Sequence, residues 1–121
     1  MKIPHVYIED MIEAIELVQK YLGDVSEEQF SRDTQLQDAV LLRLMIIGEA
    51  ASKLSDDVKN QGVEIPWKTI ISFRNVAIHE YANVAMGKVW EIYKQDLPSL
   101  CTQLKTLLKK LPPPPDPEKF N

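Results

Sequence analysis

The sequence predicts an all-α protein: an up-and-down four-helix bundle with extra short helices and a proline-rich C-terminal tail. Three observations predict it. Apolar residues return at three- and four-residue spacing along almost the whole chain, which lines them up on one side of successive helices. Glycine accounts for only 4 of 121 residues, and the hydrophobic and charged fractions, 45% and 26%, are those of a compact helical chain rather than a disordered one. Helix start and stop signals fall close together, so connections are short and neighbouring helices should run antiparallel. A chain of 121 residues is one ordinary domain, with the bundle assigned to 1–111 and the tail to 112–121.

The first helix is expected over 5–22. Pro4 suits a first-turn position, Ile8, Met11, Ile12, Ile15 and Leu22 form the apolar stripe, and Gly23 ends it. Ser26, with Gln29 three residues later, is a capping box that opens a short second element around Phe30. Asp33 or Thr34 then caps the longest apolar stretch. Its residues Leu36, Val40, Leu41, Leu44, Met45, Ile47, Ala51 and Leu54 form a wide arc, as expected of a central helix with several neighbours. Gly48, Ala50, Ala51 and Ser52 are small and allow close helix approach. Gly62 and Pro66 punctuate the next connection, and a helix starting near Pro66 carries Trp67, Ile70, Ile71 and Phe73. A last helix holds Val89, Tyr93, Leu97, Leu100, Leu104, Leu107 and Leu111, and Pro98 should kink it or split it in two. The prolines at 112–115 and 117 cannot be helical and should extend as polyproline II.

Net charge is -4, yet it is unevenly spread: residues 1–40 hold three basic and nine acidic side chains, the remainder eleven and nine. Non-specific nucleic-acid affinity comes mostly from neutralising phosphates, so an acidic chain is not a general nucleic-acid binder. Any such contact must be local; otherwise the acidic face serves a basic protein partner or is simply solvated. Cys101 is alone, which excludes an intrachain disulfide or a cysteine zinc site, and beside Leu97, Leu100 and Leu104 it reads as core packing. The start of the chain meets Glu9 and Asp10 without an apolar leader, and no uncharged apolar run is long enough to span a bilayer. A cytoplasmic protein is the expectation.

The chemistry concentrates in Arg74-Asn75-Val76-Ala77-Ile78-His79-Glu80-Tyr81. A permanently charged guanidinium near a group that ordinarily titrates around neutrality is what phosphodiester cleavage without a metal requires. On an ideal helix, residues five apart differ in direction by roughly 140°, so Arg74 and His79 would not meet. Asn75 and His79, four apart, share a face, and the Asn75 amide could hydrogen-bond the imidazole. Arg74 and Tyr81, seven apart, align if the helix persists that far. A working site then needs either a helix that frays near 78–81 or a second copy of the chain that supplies the facing arginine, as an isologous dimer does; the dimer is favoured. Arginine and histidine near a helix end can also simply cap carbonyls or pair with acids.

The spacing Arg74, four residues, His79, one residue, Tyr81 resembles the Arg-x4-His-x-Tyr motif of the HEPN superfamily, in particular toxins of HepT/MntA type. The likeness extends through Ala39-Val40-Leu41, Ile47-Gly48-Glu49-Ala50-Ala51, Ile65-Pro66-Trp67, Val89-Trp90-Glu91-Ile92 and Asp96-Leu97-Pro98, and covers most of residues 1–110. What it implies is a HEPN-like helical homodimer that cuts an RNA substrate without metal or cofactor in a cleft between protomers. His79 would be general base or general acid, Arg74 would hold the scissile phosphate, and Asn75 would orient His79. The products would be a 2′,3′-cyclic phosphate and a 5′-hydroxyl, a route closed to DNA. The resemblance further implies a cognate nucleotidyltransferase antitoxin, MntA-like, that silences the toxin by attaching adenosine monophosphate to Tyr81. Glu49 and Glu80 are accessory candidates, Glu49 as an extra polar group in the cleft or as a helix-supporting surface residue, Glu80 as a neighbour of His79. The loop Ala82-Asn83-Val84-Ala85 departs from relatives that place glycine and an acidic cap there, with Asn83 as the substitute cap. Two other readings remain: a catalytically silent HEPN scaffold that binds a nucleotide or a partner, and a helical adaptor that works through its acidic first helix and its tail.

Overall fold

A computed structural model describes residues 3–83 and 86–114, with only the helical backbone given for 80–83. The helices are α1 (Pro4–Leu22), α2 (Glu27–Arg32), α3 (Thr34–Ser52), α4 (Asp56–Asn60), α5 (Trp67–Asn83), α6 (Met86–Glu91) and α7 (Leu97–Lys110), with a π-helical turn at Ile92–Asp96 between the last two. Among the described residues there is no strand. The fold is the expected all-α bundle, whose four long members are α1, α3, α5 and the run from α6 through α7.

Helix directions alternate. The α1 residue Tyr7 shares a groove with Lys53, whereas Glu13 shares one with Arg43, so α1 and α3 are antiparallel. Glu49 meets Arg74 while Leu42 lies beside Ile78, so α5 reverses α3. Glu16 pairs with Lys105 at 3.4 Å, His5 Nε2 lies 2.7 Å from the Pro112 carbonyl oxygen, and Tyr93 donates to the Leu22 carbonyl at 3.4 Å, so the last helix reverses α1. The central helix α3 packs against both α1 and α5. Its wide apolar arc thus has the two neighbours its breadth required.

The boundaries follow local chemistry. Pro4 occupies the first turn of α1, where a missing N–H costs nothing. Gly23 closes α1, but at φ -55° it is right-handed, so the stop is not a left-handed glycine cap. Ser26 and Gln29 exchange the two capping-box hydrogen bonds at 2.9 and 3.1 Å. The cap of α3 is Asp33 rather than Thr34, its carboxylate accepting from the Leu36 amide at 3.0 Å. The short helix α4 lies outside the sequence-based expectation, although Ser55 followed by Asp56 and Asp57 is an N-terminal signal that anticipates it. The indole of Trp67 donates to the carbonyls of Gly62 and Lys59 at 3.0 and 3.2 Å, tying the first turn of α5 to the end of α4.

Pro98 splits the last helix, as expected, and the structure shows how. A proline inside a helix leaves the carbonyl four residues before it without a donor and crowds it. Here the preceding turn widens into the π turn, and Pro98 falls in the first turn of α7. The widened turn carries Tyr93, which stacks edge-on against Trp90 at 5.1 Å, and Trp90 lies 5.7 Å from the Phe30 ring, so α2 is clasped to α6. Core residues from every long helix, among them Ile15, Leu44, Ile70 and Leu104, are fully buried. Gln37 is buried too, and its side chain donates to the Phe30 carbonyl at 2.8 Å, closing the end of α2. Cys101 is buried, and that burial raises its thiol pKa, the mark of an inert packing cysteine. No helix among the described residues is long and apolar enough to cross a membrane. Residues 112–114 are non-helical, and the rest of the expected extended tail lies outside the described residues.

Asp96, at the junction of the π turn and α7, has its pKa raised by desolvation and then by the charge of Glu91. A carboxyl whose folded-state pKa lies above its unfolded value destabilises the fold once ionised. The variant Asp96→Asn should therefore melt higher than the parent at pH 7, with the gain shrinking as the pH falls below the raised pKa and vanishing below the ordinary carboxyl value of 3.8. Thermal melts of both proteins across pH 3 to 8 check this.

Candidate functional site

The helix α5 carries the Arg74–Tyr81 cluster and is continuous from Trp67 to Asn83. It does not fray near 78–81. Arg74 and His79 therefore stay roughly 140° apart in direction, as on any regular helix. Both are exposed, as is Asn75. Among the described residues no hydrogen bond joins Asn75 to His79, although the two do share a face. The positions of Arg74, Ile78 and Tyr81 fall on one stripe of the helix. The side chains of Glu80, Tyr81 and Asn83, and the residues Val84 and Ala85, lie outside the described residues, so the expectations placed on Tyr81, Glu80 and the Asn83 cap end there.

The close approach between helices is at Gly48. A β-carbon there would meet the Arg74 backbone nitrogen at 2.8 Å, the Arg74 β-carbon at 3.0 Å and the Ile71 carbonyl oxygen at 3.2 Å. Only glycine lets α3 and α5 come this near, and the contact lands on the residue that begins the motif. One position further along α3, the Glu49 carboxylate takes the Arg74 guanidinium, Oε1 to Nη1 at 2.5 Å. Glu49 thus touches the cluster while staying at the surface of α3. The pair is half exposed, at 38% for Glu49 and 53% for Arg74.

Beside this pair the surface is apolar. Asp38, Leu41, Leu42 and Met45 of α3 and Ala77 and Ile78 of α5 line an open groove of about 360 Å³. Leu42 is 49% exposed and Ile78 48%. Neither belongs to the apolar stripes that the sequence assigns to α3 and α5, and the signal that marks them is that each is a large apolar residue set off its helix's core stripe. A second groove, of about 250 Å³, runs on the other side of α3 between Tyr7, Asp10, Met45, Glu49 and Lys53, with Met45 common to both. Glu49 thus borders one groove while reaching Arg74. Among the described residues no group of three or more His, Cys, Asp or Glu side chains is gathered closely enough to hold a metal ion.

Comparison with known proteins adds to this geometry. The sequence profile of the family described as "Ribonuclease HepT-like" matches residues 11–107. A protein of Thermococcus cleftensis named "Probable ribonuclease HepT" is 38% identical over 103 residues, 85% of this chain and 94% of its own length. A protein of Caldanaerobacter subterraneus subsp. tengcongensis, provisionally named RNase, is 34% identical over 110 residues, 91% of this chain and 98% of its own. A protein of Methanocaldococcus jannaschii, named gamma-glutamylcyclotransferase and provisionally RNase, is 35% identical over 106 residues. The match covers 88% of this chain but only 48% of that longer relative. No solved structure matches the chain significantly.

The variant Gly48→Ala tests the close approach. Its β-carbon must push two backbones apart, so a loss of about 1 to 3 kcal/mol in unfolding free energy is expected, read by denaturant melts.

Proposed function

We propose, from the premise that this chain belongs to the HepT-like ribonuclease family, that it is a ribonuclease toxin whose active site is shared between two copies. Attack of a ribose 2′-hydroxyl on the adjacent phosphorus would form a 2′,3′-cyclic phosphate and expel the 5′-oxygen. His79 takes the proton from the attacking hydroxyl or delivers one to the departing oxygen, a proton-transfer role in which a positioned imidazole contributes typically 10²- to 10⁴-fold. Arg74 holds the phosphate and stabilises the charge that builds on its oxygens. Asn75 stands one turn before His79 on the same face and orients it when the substrate is bound. The reaction needs no resident cofactor.

The observation that carries the shared site is the unbroken helix. With α5 regular through Asn83, one copy cannot turn Arg74 and His79 toward a common phosphate. Ile78 projects between them, roughly 40° from Arg74 and 100° from His79 in helical direction, and it is half exposed in the apolar groove with Leu42. A second copy seated on Ile78 and Leu42 would bury that groove and bring its own arginine across to His79, as a twofold interface does. An acidic chain gains little from general phosphate attraction, so RNA is held locally at the paired clusters. In the living system the toxin is restrained by a cognate nucleotidyltransferase that adenylylates Tyr81, whose position on the Arg74 stripe would set an anionic group beside the phosphate-holding guanidinium.

Purified protein should cut labelled RNA in excess chelator and leave a 2′-deoxy substrate intact. Arg74→Ala and His79→Ala should each abolish cutting, and mixing the two should restore roughly a quarter of parental activity, since half the dimers are mixed and each holds one whole site. A mixture as dead as its components would place both residues in one copy and end the shared-site reading. Ile78→Glu should produce a monomer by light scattering and lose activity with it.

A further inference from the structure

The ion pair between Glu49 and Arg74 is poorly explained as a source of stability. Both side chains are substantially exposed, 38% and 53%, and pairs of that kind contribute little. Its geometry is better suited to aiming the guanidinium. Arginine presents five donors in a rigid planar fork. The Glu49 carboxylate takes Nη1, and the edge formed by Nε and Nη2 is the pair of parallel donors that a phosphate accepts.

Both ends of the contact are anchored. Gly48, next to Glu49, abuts the Arg74 backbone so closely that no β-carbon fits between them. The backbone of Glu49 is in turn internal to α3, its carbonyl accepting from the Ser52 hydroxyl at 2.7 Å. The carboxylate is thus delivered to Arg74 from a fixed point, with only the Glu49 side chain free to adjust. We propose that Glu49 is a positioning residue: it holds Arg74 by one nitrogen so that the remaining edge of the guanidinium faces the scissile phosphate. The role rests on the reading of Arg74 as the phosphate-holding group.

The test compares full-length parent, Glu49→Ala, Glu49→Gln and Lys53→Ala, the last an exposed control at the C-cap of α3. In the absence of RNA, the Arg74 side-chain N–H signals, assigned with Arg74→Lys, report guanidinium rotation. Rotation should be slow in the parent, several-fold faster in Glu49→Ala, and intermediate in Glu49→Gln, whose amide oxygen still accepts. In cleavage, Glu49→Ala should lose roughly 10- to 100-fold in kcat with KM changed less than about threefold, as expected when a catalytic group is misaimed rather than removed. Glu49→Gln should recover most of that loss, and Lys53→Ala should match the parent. The melting temperature of Glu49→Ala should stay within about 2 °C of the parent. Unchanged rotation in Glu49→Ala, cleavage equal to or faster than the parent, or a Glu49→Gln variant no better than Glu49→Ala would each overturn the assignment. If the parent itself fails to cut RNA, the ribonuclease reading falls, and the positioning role is then decided by the rotation measurement alone.

Discussion

The backbones of α3 and α5 meet at Gly48 with no room for a β-carbon, and that contact sets the register of the candidate site. Protein interiors are close-packed, so a missing methyl group at a helix crossing is a specification of distance and not a void. Because this contact falls on the backbone of Arg74, the two helices are in close approach where the Arg74 side chain leaves α5. Glu49 follows Gly48 directly and is carried into reach of it. The pairing of the two helices, the placement of the charge and the direction of the fork are therefore one constraint seen at three scales.

The rest of the fold serves to hold α3 and α5 in that relation. Caps at Ser26, Asp33 and Ser55 satisfy backbone donors that the short connections would otherwise leave exposed. Gln37 reaches back to the Phe30 carbonyl from within the core, and Trp67 secures the entry to α5 through two carbonyls. On the far side, the π turn before Pro98 joins α6 to α7, which packs along α1. None of these contacts touches the cluster, but each removes a way for the bundle to relax away from the crossing.

The surface beside the cluster has the opposite character. Leu42 and Ile78 stand half exposed over an apolar groove, and exposed apolar patches rimmed by polar groups mark places where another surface settles. In a chain that is acidic overall, with most of its negative excess in α1 to α3, this patch lies one turn from Arg74, whose charge Glu49 meets. Exposure of the same kind at isolated positions would carry no such meaning.

The residues by themselves determined a good deal. Proline at Pro4, the Ser26 and Gln29 pair, and Gly62 with Pro66 punctuate the chain through local chemistry, so helix ends were legible within a residue or two, and the division at Pro98 follows from a missing N–H. The apolar spacing made the bundle legible for the same reason, since periodicity is a local property. The family likeness was carried by the residues from Arg74 to Tyr81 and their flanks. What the tertiary structure decided was everything that depends on two helices at once. It placed the Glu49 carboxylate on Arg74, showed α5 unbroken where fraying was an alternative, left Asn75 and His79 on one face without a hydrogen bond between them, and set Leu42 beside Ile78 along one groove. Those outcomes depend on the distance and rotation between helices, and neither quantity is written in the periodicity of a single segment.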